Sequence, residues 1–210
     1  MQLSKEAAVK RIHECAVAYH ANLLGRNVLF LTLCGNERSY FESAYFSRNF
    51  LHFTGVTTRL NPTQYFRAAL NNKLSQDSIK LAADGTTELK LNVLPQLMSI
   101  HLVARMVGDY DNSKSLLVTD KLAGTVTAAM GFTEDNGYYV PNTILREDLR
   151  KLTKRPQQRI IATFRKTQKD KYYSELSYVA KGISIFDNDL LSVINDKIDA
   201  AKLFASFAIP

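Results

Sequence analysis

The stretch Arg159–Lys166, RIIATFRK, is followed after the polar loop TQKDK by Tyr172–Ala180, YYSELSYVA. Both segments are rich in β-branched and aromatic residues, and the loop between them has the composition of a turn. We therefore expect a pair of antiparallel strands. Alternation along the first strand predicts two faces: Ile160, Ala162 and Phe164 on one, and Ile161, Thr163 and Arg165 on the other.

Helical patterns come earlier in the chain. Apolar residues three and four apart predict a helix over Ser4–Leu24, and Pro62 after Asn61 predicts the start of another that reaches Leu74. Glu88–Val103 is a third helical pattern, and Asn27–Leu33 with Ser39–Phe46 reads as a strand pair. Helices first and a sheet later favour an α+β fold, with N-terminal helices followed by a curved antiparallel β-sheet.

The middle and the end of the chain complete this expectation. Short β-rich segments separated by turn residues predict further strands between residues 105 and 140. Asn142–Leu152 reads as a short helix capped by Asn142 or Thr143, and Asp189–Phe204 as a C-terminal helix. We expect a single domain over residues 1–210, with 1–24 and 189–204 as additions to it.

Composition excludes several classes of protein. The 210 residues are 46% hydrophobic and 22% charged, which is typical of a globular domain. There is no glycine-rich phosphate loop and no metal-spaced cluster of His and Cys, so we expect no cofactor and no metal. The longest apolar run, Val28–Leu33, is too short to span a membrane, and Met1–Arg11 lacks a signal-peptide pattern. We therefore expect a cytoplasmic protein that does not bind membranes.

Positive charge is concentrated in one segment. Residues 146–181 contain 11 Lys and Arg against four Asp and Glu, so this segment accounts for the whole net charge of +7. A basic segment of this kind is typical of a polyanion-binding protein, because phosphate contacts release condensed counterions. A solvated basic surface without a ligand is the alternative.

The histidine with the most informative surroundings is His52, in the stretch NFLHFTGV over Asn49–Val56. Alternation with apolar residues predicts that His52 and Thr54 project to one face of a strand end, next to a bend at Gly55. An imidazole beside a hydroxyl is a candidate acid–base site. Two other polar segments are of interest, although both fit simple turns: Thr119–Gly124 ends a strand with a compact charged cluster, and Tyr139–Thr143 precedes a predicted helix N-terminus, which is an anion site.

These segments, in this order, resemble a known family. The motifs are NFLHFTGV at Asn49–Val56, FRAALNNKL at Phe66–Leu74, VGD at Val107–Asp109, TDKLAG at Thr119–Gly124, MGF at Met130–Phe132, YVPNT at Tyr139–Thr143 and YVAKG at Tyr178–Gly182. Together they resemble the fourth of the phage-type barnase–EndoU–colicin–RelE-like nuclease families. The family often has Leu where Phe53 stands, which leaves His52 and Thr54 in place.

The resemblance implies a compact α+β nuclease fold and metal-independent RNA cleavage, in association with phages or toxin systems. Such cleavage needs a base or acid, charge stabilisation at the phosphate, and contacts to the RNA strand. The predicted catalytic residues are His52 for proton transfer, and Lys121 and Lys166 for charge stabilisation. The predicted substrate-binding residues are Thr54, Asn142, Thr143, Arg165, Tyr178 and Lys181.

RNA is thus the expected partner, and an antitoxin or immunity protein is a second one. Two alternatives to a ribonuclease remain at this point. One is a non-catalytic nucleic-acid-binding module, or a phage accessory protein that keeps the fold without the chemistry. The other is an interaction protein whose basic segment docks an acidic partner.

Overall fold

The computed structural model describes residues 3–113, 117–184 and 191–205, and the fold is α+β as predicted. The elements are, in chain order, α1 (Lys5–Asn22), β1 (Arg26–Cys34), β2 (Glu37–Ala44), α2 (Phe50–Thr54), β3 (Thr57–Thr58), α3 (Pro62–Leu70), β4 (Ile79–Lys80), α4 (Thr86–Leu97), α5 (Ile100–Val103), β5 (Met106–Asp109), β6 (Lys121–Gly124), β7 (Ala129–Asp135), β8 (Tyr138–Leu145), α6 (Leu149–Leu152), β9 (Gln158–Thr167), β10 (Glu175–Val179) and α7 (Ala200–Ala205).

Seven strands form a closed ring, which corrects the expectation of a simple curved sheet. The order around the ring is β1-β2-β8-β7-β6-β5-β9, and β9 pairs again with β1. All neighbours are antiparallel except β2 and β8, which are parallel. The ring closes because β9 is ten residues long and pairs along one side with β1, while β5 and β10 pair with different parts of it.

The hairpin predicted at Arg159–Ala180 is confirmed, since β9 and β10 pair antiparallel. The predicted faces hold only in part. The register of β9 against β1 shifts between Leu31 and Thr32, so that Ile160 faces the main core while Ala162 and Phe164 face the opposite side. A β-bulge adds one residue to a strand, so the side chains beyond it point to the faces opposite to those expected. A period of two in the sequence does not show where such a bulge occurs.

The main core lies between the helices and the inner side of the ring. Tyr19 of α1 packs against Phe50 and Phe53 of α2 and Phe66 of α3, with ring centroids 5.5 to 5.9 Å apart. Phe30, on β1, stacks at 5.2 Å on Phe41 of β2. Burial of these large side chains fixes α1, α2 and α3 against the barrel.

A second core covers the other side of β1 and β9. Leu29, Leu31 and Phe164 are buried there against Ile194 and Leu203 of the C-terminal segment. The helix expected at Asp189–Phe204 is shorter: within residues 191–205 a 3-10 turn at Ser192–Ile194 precedes α7, and residues 185–190 lie outside the described part. No helix in the described ranges combines the length and the apolar character that crossing a membrane needs.

Candidate functional site

His52 lies on α2, a helix of five residues, and not on a strand as the alternation predicted. Phe50 and Phe53 point into the core, while the His52 side chain is exposed. Gly55 ends the helix in the left-handed region, with φ of 66°. The apolar run is so short that both periods fit it, and tertiary packing of the two phenylalanines decides for the helix.

Gly55 also lets α4 approach α2 closely. A Cβ atom at this position would lie 3.1 Å from Cδ of Lys90 and 3.2 Å from Cα of Thr87. The hydroxyl of Thr87 donates a hydrogen bond of 2.7 Å to the Gly55 carbonyl, which holds the two helices together. The bend expected at Gly55 therefore has a second purpose, which is to make room for Lys90.

Lys90 connects α2 to the barrel. Its Nζ donates to the carbonyl oxygen of His52 at 2.8 Å and to Oγ1 of Thr143, on β8, at 3.2 Å. An ammonium group has three donors, and within the described ranges these two oxygens are the acceptors of Lys90. The side chain is half-buried, and burial lowers the pKa of Lys90.

The electrostatics of the site favour a neutral imidazole. Partial burial lowers the pKa of His52 below its ordinary value, and the positive charge of Lys90 lowers it further. A neutral imidazole accepts a proton, so His52 is available as a general base at neutral pH.

Asn142 and Thr143 lie on β8, and the helix expected over Asn142–Leu152 is wrong: only α6, capped by Asp148, is helical there. Asn142 is an extra residue in β8, because Gly131 pairs with Thr143 and Phe132 pairs with Pro141. The helix N-terminus expected here as an anion site is therefore absent. The site is instead a β-bulge, a feature that often re-aims side chains next to active sites.

The bulge holds Asn142 in a defined position. Its amide nitrogen donates to the carbonyl of Val118, and its Oδ1 accepts from Oγ1 of Thr119 at 3.4 Å. Gly131 makes this possible, since a Cβ there would come within 2.7 Å of both Thr119 and Thr143. Polar side chains from β8 and from the residues before β6 thus meet beside Lys90.

Thr54 does not share a face with His52. It is buried, its hydroxyl donates to the Leu51 carbonyl at 2.8 Å, and it accepts from the hydroxyl of Tyr65 at 3.2 Å. These contacts anchor the C-terminal end of α2 in the core. Thr54 therefore belongs to the buried side of α2, away from the exposed His52.

Lys121 and Lys166 have other partners. Lys121 forms an ion pair with Asp109, and its Nζ lies 5.6 Å from the ring centre of Tyr139. Lys166 is only 9% exposed, donates to the Lys171 carbonyl at 3.0 Å and lies over the ring of Tyr173. In the described ranges, neither ammonium group is hydrogen-bonded to His52.

Arg165, Tyr178 and Lys181 lie on or just after the β9–β10 hairpin. Arg165 forms an ion pair of 3.0 Å with Glu175, and the Tyr178 ring is covered by the guanidinium of Arg105 at 4.1 Å. Lys181 is exposed. The structure places these residues on a different part of the ring from β8, where Thr143 contacts Lys90.

Another histidine, His101 on α5, lies near Arg165. His101 is 2% exposed, and burial lowers its pKa to about 4, helped by the charges of Arg165 and Arg26. Its Nδ1 has no hydrogen-bond partner among the described residues. His101 is therefore a buried neutral imidazole whose hydrogen bonding is incomplete within the described part of the chain.

Sequence reasoning missed Lys90. Its position on α4 is the signal that points to Lys90. Lys90 lies three residues after Thr87 and four residues before Leu94, and both of these residues are buried. A lysine on the buried stripe of a helix is unusual, because burying an ammonium is costly unless it has partners. In the described part of the chain, no group of three or more His, Cys, Asp or Glu side chains is arranged to hold a metal ion.

The site combines a histidine, a partly buried lysine and polar side chains beside a β-bulge, on an α+β barrel. These features fit a protein that acts on phosphodiesters. Residues 11–182 match the model of the family described as phage-Barnase-EndoU-ColicinE5/D-RelE like nuclease4, and the chain belongs to this family. The resemblance inferred from the motifs is thereby confirmed. No curated protein and no solved structure gives a significant match.

Proposed function

We propose that this protein is a metal-independent endoribonuclease that cleaves RNA at the site formed by His52, Lys90, Asn142 and Thr143. The family supports a nuclease, and the link from Lys90 to both His52 and Thr143 is the observation that supports this site. This link supports the proposed site because the Lys90 ammonium is bonded to the His52 backbone and its charge lowers the pKa of the imidazole.

In the proposed reaction, His52 removes the proton from a ribose 2′-hydroxyl. The 2′-oxygen attacks the adjacent phosphorus, and Lys90 stabilises the negative charge that develops on the phosphate oxygens. Because burial lowers the pKa of Lys90, its ammonium is also suited to protonate the departing 5′-oxygen. The products are a 2′,3′-cyclic phosphate and a free 5′-hydroxyl. Asn142 and Thr143 orient the phosphate next to the bulge.

The other predicted residues keep their predicted roles as proposals. Lys121 and Lys166 are proposed to stabilise phosphate charge, and Arg165, Tyr178 and Lys181 to hold the RNA strand. Thr54 acts through α2, since its hydroxyl is engaged in the core. The same proposal includes a phage or toxin-system context, with an antitoxin or immunity protein as a possible partner.

The test uses purified protein and an RNA oligonucleotide in the presence of EDTA. We expect cleavage with 2′,3′-cyclic phosphate ends, and no cleavage of the DNA of the same sequence, which lacks the attacking hydroxyl. Loss of cleavage in EDTA would contradict metal independence. Cutting of the DNA would contradict attack by the 2′-hydroxyl.

The His52→Ala variant links the activity to the site. General acid–base catalysis contributes roughly 10²–10⁴-fold, so cleavage should fall by that factor while folding and RNA binding persist. His20→Ala, which removes an exposed histidine from α1, is the matched control and should keep full activity. Full activity of folded His52→Ala would refute the assignment. A wild-type protein that binds RNA and never cleaves it would favour the non-catalytic alternative.

A further inference from the structure

A groove lined by cations lies at β5 and β6, in the same sheet as Thr143 of the proposed site. Two cavities, of about 220 Å³ and about 680 Å³, share Lys154 and Arg155 as lining residues. The smaller cavity continues to Lys121 and Asp109, at the β5–β6 pair, and the larger one runs along α6. We call the two cavities together the cationic groove; its basic residues are Lys121, Arg150, Lys151, Lys154 and Arg155.

The charges in the groove are not balanced. Asp109 is paired with Lys121, and Asp148 is paired with Arg150 at 2.6 Å. Lys154 and Arg155 are exposed and form no ion pair with any residue of the described ranges. Asp111 also lines the larger cavity, so the groove as a whole holds five Lys and Arg side chains against three Asp side chains, Asp109, Asp111 and Asp148.

The backbone under these two residues is fixed. The amide of Lys154 donates to the Asp109 carbonyl at 2.9 Å, and the amide of Asp111 donates to the Leu152 carbonyl at 2.9 Å. Thr153 is buried against Gly108, where a Cβ would lie 2.7 Å from it. Lys154 and Arg155 are thus held against β5 and ready to bind, which lowers the entropic cost of contacting a ligand.

The groove and Thr143 of the proposed cleavage site lie on the same sheet. Asn142 contacts Thr119, and Thr119 is two residues before Lys121, where the groove begins. The strands β8, β7, β6 and β5 are consecutive in the sheet. Three strand spacings amount to about 14 Å, so a strand of RNA held at Thr143 reaches the groove within a short length.

We propose that the cationic groove binds the phosphates of the RNA strand that flank the cleaved linkage, and this rests on the proposed function. Phosphate is favoured over an acidic protein because most of the lining residues are charged or polar, the others being Val107, Gly108 and Pro156. Protein interfaces place aromatic and aliphatic anchors at their centre, whereas phosphate contacts need only cations and donors.

The test measures the binding of uncleavable 2′-O-methyl RNA at several salt concentrations. The variant Lys154→Ala/Arg155→Ala removes both unpaired cations. Each lost phosphate contact should reduce the slope of log affinity against log salt by roughly 0.7, so the slope should fall by about 1.4 for an RNA of about a dozen nucleotides. A dinucleotide, which does not reach the groove, should bind both proteins equally.

The control is Lys169→Ala/Lys171→Ala, which removes the same charge from exposed positions in the β9–β10 loop. It should leave the slope unchanged. An unchanged slope for the groove variant would refute the proposal and would favour another partner for the groove, such as an acidic protein. Equal changes of slope in both variants would also refute it. Because the RNA is uncleavable, this outcome is independent of whether the protein is a ribonuclease.

Discussion

The Nζ atom of Lys90 lies 2.8 Å from the carbonyl oxygen of His52, and this bond joins α4 to the exposed side of α2. The same ammonium reaches Thr143 on β8. Three segments that are far apart in the chain therefore meet at one cation. Removal of the Lys90 charge should therefore lower the rate of catalysis more than it lowers the stability of the core.

Lys90→Met keeps the length and the burial of the side chain but removes the charge. We expect cleavage to fall by roughly 10²–10³-fold, the usual loss when one stabilising donor is removed. Lys90→Arg restores the charge and should recover part of the rate. Single-turnover cleavage and melting temperature are measured together; an active Lys90→Met protein would contradict a role in charge stabilisation.

The pH profile of cleavage tests the role of His52. A general base must be neutral, so the rate should rise with pH and level off once the imidazole has lost its proton. Since burial and Lys90 lower the pKa of His52, the midpoint of this rise in kcat/KM should lie below pH 6.5.

In Lys90→Met the midpoint should move to higher pH, because a nearby positive charge has been removed. A rate that falls with increasing pH over the same range would instead make His52 the general acid. A midpoint that stays the same in the variant would show that Lys90 does not act on the imidazole.

Gly55→Ala should lower the free energy of unfolding and the cleavage rate together. The added Cβ meets both a left-handed backbone and the atoms of Lys90 and Thr87. Gly35→Ala is the matched control, since Gly35 has φ of 59° with no atom within 4 Å. Backbone strain alone costs about 1–2 kcal/mol in either variant, so the excess loss at Gly55 in urea unfolding measures the close approach of α4.

Ile194→Ala tests whether the C-terminal segment is part of the folded unit. Ile194 is fully buried against the outer side of β1 and β9, although it lies beyond the matched residues 11–182. The substitution should cost about 2–5 kcal/mol in urea unfolding. Leu89→Ala, at a position 49% exposed on α4, should cost much less. If both substitutions lowered the free energy of unfolding by the same small amount, the C-terminal segment would be dispensable for folding.

Local features of the fold were predictable from the sequence. Ser4 caps α1 by accepting from the amide of Ala7, and Asn61 caps α3 with Pro62 in its first turn, as these residue types predict. The β9–β10 hairpin follows from its composition. In each case the deciding interaction lies within a few residues along the chain.

The wrong predictions of secondary structure occur where contacts between residues far apart in the chain decide the local structure. Asn142 was interpreted as a helix cap because a short polar side chain serves equally at a cap or in a bulge, and the choice depends on pairing with β7. His52 was placed on a strand because two phenylalanines fit either period, and Tyr19 and Phe66 select the helix. His52 and Thr143, both candidates from the sequence, are joined in the structure by Lys90, which no sequence pattern singled out.

Ring closure has a consequence for how this protein is made. The ion pair between Arg26 and Glu175 links residues 149 positions apart, and the neighbouring β1–β9 pairing spans a similar distance. During synthesis, β1 is left with one unpaired edge until β9 has emerged from the ribosome. Contacts of such long range slow folding and leave strand edges open to wrong pairing. The ring therefore closes only after β9 has been translated, long after β1 and β2 have been made.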